Sequence, residues 1–168
     1  MPQTDLLVKA LLAYSVHEHQ LGHTRHVHVW LAPEQIDLQD DGRGMGLDRD
    51  GYVENLLGTL VGRSSEVQLH GIGLSLVAAV TPLLVVESLR GGIAWRQSFE
   101  LGIAIEAPTQ LASGHGPGTL ITLAGLPPLT EAGVASLASQ SRVWQAAYPG
   151  LSIVLHEHHR PRVTDRVA

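Results

Sequence analysis

The sequence lacks cysteine altogether, and it is poor in aromatic residues and in lysine. Without cysteine it can form neither a disulfide framework nor a zinc site with thiolate ligands, and it has no thiol nucleophile. With one Phe, three Trp and three Tyr, its core must consist mainly of Leu, Val, Ile and Ala. Lys9 is the single lysine among eleven scattered basic residues, and the formal net charge is −5. This balance argues against a nucleic-acid-binding face.

Long hydrophobic runs are also missing. No apolar stretch approaches the roughly 20 residues that a membrane-spanning helix needs. The N-terminus shows no basic segment followed by an apolar run and a cleavage site. We therefore expect a cytoplasmic protein without a membrane partner. A length of 168 residues fits one domain, which we place at residues 1–160 and expect to be followed by a loose tail at 161–168.

The spacing of apolar residues predicts elements in the order α-β-β-α-α-β-β-β-β-α-β. A cap at Thr4 and Asp5 begins the first helix, which ends near Gly22, and a Thr130 cap begins the last helix. The remaining predicted elements are two strands between residues 26 and 42, helices at 51–62 and 71–82 separated by a polar loop at 63–68, strands at 83–89, 93–101, 103–111 and 118–126, and a last strand at 151–158. This order predicts an α/β fold of the α+β sandwich kind, in which helices cover one face of a mixed, mostly antiparallel sheet.

Three glycine motifs stand between these elements. They are DDGRGMG at residues 40–46, LHGIG at residues 69–73 and GPGT at residues 116–119. Each motif alone is typical of a turn, but three in this order at these separations are fairly specific. Together they resemble the GHKL (Bergerat-fold) ATPases, in particular the ATPase domain of the gyrase and topoisomerase IV B subunits. The resemblance runs from about Leu6 to Glu157.

The resemblance implies a pocket for an adenine nucleotide, with ATP or ADP as the ligand. Asp40 would accept a hydrogen bond from the adenine amino group, because an ionised carboxylate only accepts. Gly42 and Gly44 would let the backbone pass close to the base. Thr119 would support Asp40 through its hydroxyl and a shared water.

Two further parts of the pocket follow from the same resemblance. Arg43 would pair with Glu18 on the first helix and frame the edge of the pocket. Gly71 and Gly73 would lead into a helix from Leu74, so that free amide groups and the positive end of the helix dipole face phosphate oxygens.

The sequence departs from the family at the positions that carry hydrolysis. The glutamate that activates water and the asparagine that binds magnesium align with Ala10 and Tyr14, which can do neither. The segment Arg63–Gln68 is shorter than the family's ATP lid, and no transducer domain or N-terminal dimerisation arm is recognised. We expect no hydrolysis by the family mechanism and no magnesium bound in the family manner. Tyr14 could fill the vacated magnesium site, so that the pocket favours a smaller ligand or another planar molecule.

Three functions remain open from the sequence. The first is a degenerate, gyrase-B-like nucleotide-binding domain that acts as a regulatory or binding module, with a protein partner. The second is an enzyme that reuses the pocket for other chemistry, with His17, Glu18, Tyr14 or His70 as acid or base. The third is a protein that sequesters a planar small molecule. An active ATPase ranks last.

The ten histidines raise the question of a metal site. They include two clusters, one of His17, His19, His23, His26 and His28 and one of His156, His158 and His159. His26 and His28 share one face of a strand, whereas His17 and His19 point far apart around a helix. Solvated histidines and no metal site are the interpretation that we prefer from the sequence.

Overall fold

The computed structural model describes residues 4–47, Val53, 65–112 and 116–161, and it describes the backbone alone at residues 65–72. Within these ranges the helices are α1 (Thr4–Gln20), α2 (Ser65–Val80) and α3 (Glu131–Ala147). The strands are β1 (His26–Leu31), β2 (Gln35–Asp40), β3 (Leu83–Arg90), β4 (Ile93–Glu100), β5 (Ile103–Ala104), β6 (Thr109–Gln110), β7 (Gly118–Ala124) and β8 (Ser152–His156).

The eight strands form one sheet in the order β5-β4-β3-β7-β2-β1-β8, and β6 also pairs with β4. All pairs are antiparallel except β1 with β8, which is parallel. The helices pack on one face of this sheet. The predicted fold class, a mixed and mostly antiparallel sheet covered on one side by helices, is confirmed.

The alternation of side chains along each strand separates the two faces of the sheet. On β1, Val27 and Val29 are fully buried in the hydrophobic core, whereas His28 and Trp30 extend from the opposite face. The core is largely aliphatic, as the composition predicts, and Phe99 is its largest fully buried side chain. No helix in the described ranges is both long enough and apolar enough to cross a membrane.

The predicted start of α2 is wrong. The helix begins at Ser65 rather than at the glycines of LHGIG, so residues 65–68 are helical and not part of a loop. The stretch from Ser65 to His70 contains no proline. A glycine in a helix costs only about 1 kcal/mol relative to alanine, so two of them do not end a helix that packs against α1. The predicted helix at 51–62 lies outside the described residues, except Val53, which forms a β-bridge with Leu47.

The predicted strand at 103–111 is also wrong, because it is interrupted. Only its two ends, β5 and β6, pair with β4. Between them Pro108 has no N–H to donate to a ladder. Side chains of β4 contact this segment instead: Gln97 Nε2 donates to the carbonyl of Glu106 at 3.1 Å, and Ser98 Oγ donates to the Glu106 carboxylate at 2.8 Å.

The two predicted helix caps have different outcomes. Thr130 caps α3 as predicted, since its Oγ1 accepts a hydrogen bond from Gly133 N at 3.1 Å. Thr4 is already the first residue of α1, and its hydroxyl donates to the carbonyl of Pro127 at 2.8 Å, which ties the helix to the segment before α3. At the other end of the chain β8 stops at His156, and the predicted tail lies outside the described residues apart from Pro161.

Candidate ligand-binding site

Asp40 is the last residue of β2, and its carboxylate is held from three sides. The residue is 3% exposed. Oδ1 accepts hydrogen bonds from the backbone N–H of Gly42 at 3.0 Å and of Thr119 at 3.2 Å. Among the described residues, Oδ2 receives only the Ser15 hydroxyl, at a long 3.4 Å. The carboxylate is therefore fixed through one oxygen, and the other keeps most of its capacity to accept.

Burial dominates the electrostatics of Asp40. Loss of solvent raises the pKa of the carboxyl from 3.8 to about 6, although the backbone donors Gly42 and Thr119 act in the opposite direction. The nearby carboxylates of Glu18 and Asp41 raise the pKa further. At pH 7 the group is still largely ionised, so it acts as an acceptor, and it becomes a donor only in acid.

This raised pKa predicts how stability changes with pH. The folded state binds the Asp40 proton more tightly than the unfolded chain, so the free energy of unfolding falls as pH rises from about 4 to about 6. The shift of roughly two units corresponds to about 3 kcal/mol. Denaturant unfolding of wild type and Asp40→Asn at pH 4, 5, 6 and 7 is expected to show that wild type loses most of this amount relative to the variant. A difference that is constant across this range would contradict the assignment.

Glycines of the two flanking turns are required by contacts within the protein. A Cβ on Gly42 would lie 2.5 Å from Thr24 Oγ1, and one on Gly44, which has φ +76°, would lie 2.5 Å from the carbonyl oxygen of Leu89. A Cβ on Gly118, with φ +97°, would overlap the carbonyl oxygen of Asp40. The turns after β2 and before β7 are thus packed against each other around the carboxylate.

Arg43 and Glu18 form the predicted ion pair, which is confirmed. Arg43 Nε and Nη2 donate to the two carboxylate oxygens of Glu18 at 2.9 and 3.0 Å. The Glu18 side chain is 6% exposed and that of Arg43 is 42% exposed, so the carboxylate is the buried partner. Because both oxygens of Glu18 are engaged, this residue is poorly suited to act as a free general base.

The pair also makes a testable contribution to stability. Arg43→Ala would leave a buried carboxylate without its bidentate partner, which costs about 2 kcal/mol or more. Arg43→Ala combined with Glu18→Gln removes that charge, and we expect the double variant to be more stable than Arg43→Ala alone. Urea unfolding at pH 7.5 measures both. Equal stabilities would mean that Glu18 is solvated well enough to remain unpaired.

Tyr14 lies one helical turn before Glu18 on α1 and is buried. Burial, followed by the charges of Glu18 and Asp40, raises the pKa of its phenol, and the charges of Arg43 and Arg90 oppose this only in part. The phenol is therefore neutral at physiological pH. Such a group donates a hydrogen bond and offers a neutral oxygen, and it does not accept a proton readily.

The remaining predicted site residues are placed with less detail. Thr119 is buried next to Asp40, and its backbone N–H contacts the carboxylate; the contact of its hydroxyl through a shared water stays a prediction. Gly71 and Gly73 lie inside α2, so the structure does not put their amides at a helix start. His17 is half-buried on α1. The side chain of His70 lies outside the described part of the structure. The phosphate-binding role of the LHGIG motif stays a prediction.

Several residues that support the site were not predicted to do so. Ser15 reaches Asp40 from α1, and Gly118 gives β7 its close approach to β2. Two features of the sequence could have indicated these roles. Ser15 is adjacent to Tyr14 on the first helix, and Gly118 belongs to the GPGT motif. Asp41, the second acid of DDGRGMG, has a structural role: it accepts from the backbone N–H of Arg25 and His26 and from the His26 ring. These bonds outweigh its partial burial and lower the pKa of its carboxyl.

The sheet order, the helical layer and the acid at the end of β2 define a GHKL-type fold, as in the ATPase domain of gyrase B. The 43K ATPase domain of Thermus thermophilus gyrase B, solved in complex with an aminocoumarin, superposes with a TM-score of 0.73 at 22% identity over 93% of this chain and 43% of that one. The topoisomerase IV ATP-binding domain of Francisella tularensis, solved with a small-molecule inhibitor, gives a TM-score of 0.76 at 20% identity over 94% of this chain and 83% of that one.

Two relatives are similar in sequence. The type 2 topoisomerase B subunit of Aquifex aeolicus (strain VF5) is 25% identical over 139 residues, which cover 74% of this chain and 18% of the relative. The novobiocin-sensitive DNA gyrase B subunit of Streptomyces niveus is 29% identical over 153 residues, covering 83% of this chain and 22% of the relative. The chain thus spans about a fifth of the length of these relatives. No family model matches the chain.

Proposed function

We propose that this chain is a GHKL-type domain that binds an adenine nucleotide, ATP or ADP, in the Asp40 pocket without hydrolysing ATP by the family mechanism. In this role it acts as a binding or regulatory module. The observation that carries the proposal is the Asp40 carboxylate, which is buried, oriented by two backbone amides and left with one oxygen only weakly engaged. An exocyclic amine on a planar base complements such an acceptor.

The residues around the pocket do not fit the family's hydrolytic chemistry. Attack by water needs a positioned base, and Ala10 at the aligned position has none. Glu18 is held by Arg43. Tyr14, at the position aligned with the magnesium ligand, is a protonated phenol, which is not among the carboxylate, carbonyl and water oxygens that hard divalent cations prefer. Within the described ranges, no three His, Cys, Asp or Glu side chains are grouped to hold a metal ion.

Calorimetric titration of the protein with ATP, ADP and adenosine, each with magnesium and with a chelator, tests the binding part of the proposal. We expect saturable binding that does not require magnesium, because the contact to the base involves no cation. An assay of ATP turnover on the same samples tests the proposed lack of hydrolysis, and we expect no phosphate release above that of the buffer. Turnover that is lost in Asp40→Asn would show an active enzyme and contradict the proposal.

Capture of a planar small molecule is a second candidate. Both solved neighbours hold small molecules, one of them an aminocoumarin, and Arg43 and Arg90 lie close enough to Tyr14 to affect the pKa of its phenol. Competition between adenosine and an aminocoumarin for the protein separates the two. If the aminocoumarin binds and no adenine compound does, sequestration is the better account.

Reuse of the pocket by an unrelated enzyme has less support. Of the four candidate acid–base residues, Glu18 has both oxygens bound and Tyr14 has a phenol whose pKa is raised, so neither is a base at neutral pH. His17 and His70 remain as candidates for such chemistry.

A further inference from the structure

One histidine from each cluster, His28 and His156, meets the other on the face of the sheet opposite the helices. The parallel pairing of β1 and β8 puts His156 in register with Trp30, and His28 lies two residues before Trp30 on the same face. His28 and His156 are each half-buried, and Trp30 is 9% exposed. The Trp30 ring stacks on both imidazoles, with centroids 5.6 Å from His28 and 5.0 Å from His156.

The imidazoles of His28 and His156 are directly bonded. Nδ1 of His28 lies 3.0 Å from Nε2 of His156, and the two ring planes differ by 12°. The ring centroids are 5.3 Å apart, which equals the nitrogen separation plus one ring radius on each side. The rings therefore lie side by side and share one proton, so that one nitrogen donates and the other accepts.

This nitrogen separation also suits a single metal ion. An ion about 2.0–2.1 Å from both nitrogens would form an N–metal–N angle of about 94°. That angle is the one between neighbouring ligands in square-planar and octahedral sites, which Cu²⁺ and Ni²⁺ favour, and it is too small for a tetrahedral zinc site. In the free protein the two nitrogens point at each other, whereas a bound ion would lie to one side of the line that joins them. Each ring must therefore rotate to direct its lone pair at the ion, and half-exposed side chains can do so.

Two further side chains, His158 and Arg160, lie beside the group formed by His28, His156 and Trp30. Partial burial, followed by the neighbouring His28 and His158, lowers the pKa of His156. His158 lies beside His156 with ring centroids 5.5 Å apart; its Nδ1 is bonded to the carbonyl of His159, which leaves Nε2 as its other ring nitrogen. Arg160 extends over the Trp30 ring, 5.8 Å from its centroid.

We propose that His28 and His156 form an open two-histidine site for a divalent transition-metal ion of the Cu²⁺ or Ni²⁺ kind, with water completing the coordination. On binding, the ring that donates in the free protein moves its proton to its other nitrogen, so both facing nitrogens ligate and no proton is released at neutral pH. This site is independent of the Asp40 pocket, which lies at the end of β2.

The test is titration of tag-free protein with CuCl₂ and with NiCl₂, followed by calorimetry and by tryptophan fluorescence. The variants are His28→Gln, His156→Gln and their combination, and His159→Gln is the matched control because it is exposed and adjacent but outside the pair. We expect each single variant to lose about tenfold or more in affinity for the tightest site. The combined variant should lose more than either single variant, because a single variant still keeps one ligating imidazole, and the control should behave as wild type. Trp30→Phe should remove the fluorescence change but keep the binding.

Electron paramagnetic resonance of the wild-type Cu²⁺ complex provides a readout that does not depend on any variant. Coupling of one Cu²⁺ to two imidazole nitrogens is expected. Coupling to a single nitrogen would overturn the proposal. So would unchanged affinity in both single variants, because the ion would then be held by other histidines.

Discussion

Asp40→Asn is expected to reduce the affinity for adenosine and ADP by about a hundredfold, which corresponds to about 2.7 kcal/mol and lies within the range for a hydrogen bond to a charged group. The amide oxygen of asparagine can still accept from the backbone N–H of Gly42 and Thr119, so it takes the Oδ1 position and the fold is kept. The amide NH₂ must then take the Oδ2 position. This NH₂ group would face the amino group of the adenine, and because both groups are donors the hydrogen bond would be lost.

The matched control for this substitution is Asp37→Asn. Asp37 lies on the same strand and is equally buried, but its carboxylate is on the other face of the sheet, where it accepts from Thr122 Oγ1 and Gln35 Nε2. We expect its nucleotide affinity to equal that of wild type by calorimetry. An Asp40→Asn variant that binds as tightly as Asp37→Asn would remove Asp40 from the binding site.

Gly118→Ala is expected to lower the free energy of unfolding by about 3 kcal/mol or more, which is the scale of a strained backbone combined with a steric clash. At φ +97° an L-residue is already strained, and the new Cβ would overlap the backbone of Asp40 and approach Gly42 N. The two turns must then separate, and the amide of Thr119 moves away from the Asp40 carboxylate. Nucleotide binding should therefore fall in any fraction that folds.

Gly116→Ala separates the two causes. Gly116 lies two residues earlier with φ +115°, but a Cβ there meets no atom of the described residues within 4 Å. This control carries the backbone strain without the clash, so we expect it to cost about 1–2 kcal/mol. Guanidinium unfolding curves of both variants measure the difference. If the two variants are equally destabilised, the contact between the β2 and β7 turns is not what requires glycine at 118.

The parts of the site that could be predicted depend on local patterns. A run of two acids and three glycines after an alternating strand places a carboxylate at the strand end, and this is where Asp40 lies. The resemblance then supplied the pair of Arg43 with Glu18. The structure confirms this pair, because Glu18 on α1 and Arg43 in the turn after β2 lie close enough for two hydrogen bonds.

The parts that could not be predicted depend on contacts between distant segments. The requirement for glycine at 118 arises from the packing of β7 against β2. No pattern in the sequence indicates that the backbone of Asp40 approaches Gly118. His28 and His156 are 128 positions apart, and only the parallel pairing of β1 with β8 brings them together. The start of α2 was missed for another reason: glycines near a polar segment indicate a loop equally well, and packing against α1 decides between loop and helix.

The Asp40 pocket can persist without the family's hydrolytic chemistry. The groups that hold the Asp40 carboxylate are two backbone amides and a serine, and none of them takes part in attack on a phosphate. Under the proposed function, the residues Ala10 and Tyr14 at the aligned catalytic positions would therefore leave the contacts of the Asp40 carboxylate unchanged. A neutral phenol at position 14 is then compatible with a ligand that carries no magnesium.

The measurement that tests the central claim most directly is a comparison of adenosine with purine riboside, which has the same ring without the amino group. Calorimetric titrations of wild type and Asp40→Asn with both compounds, in the absence of magnesium, form a complete cycle. We predict that wild type prefers adenosine by about a hundredfold, as expected for a hydrogen bond to a charged group, and that the variant shows no preference. Equal binding of the two compounds by wild type would show that the Asp40 carboxylate does not recognise an adenine amino group.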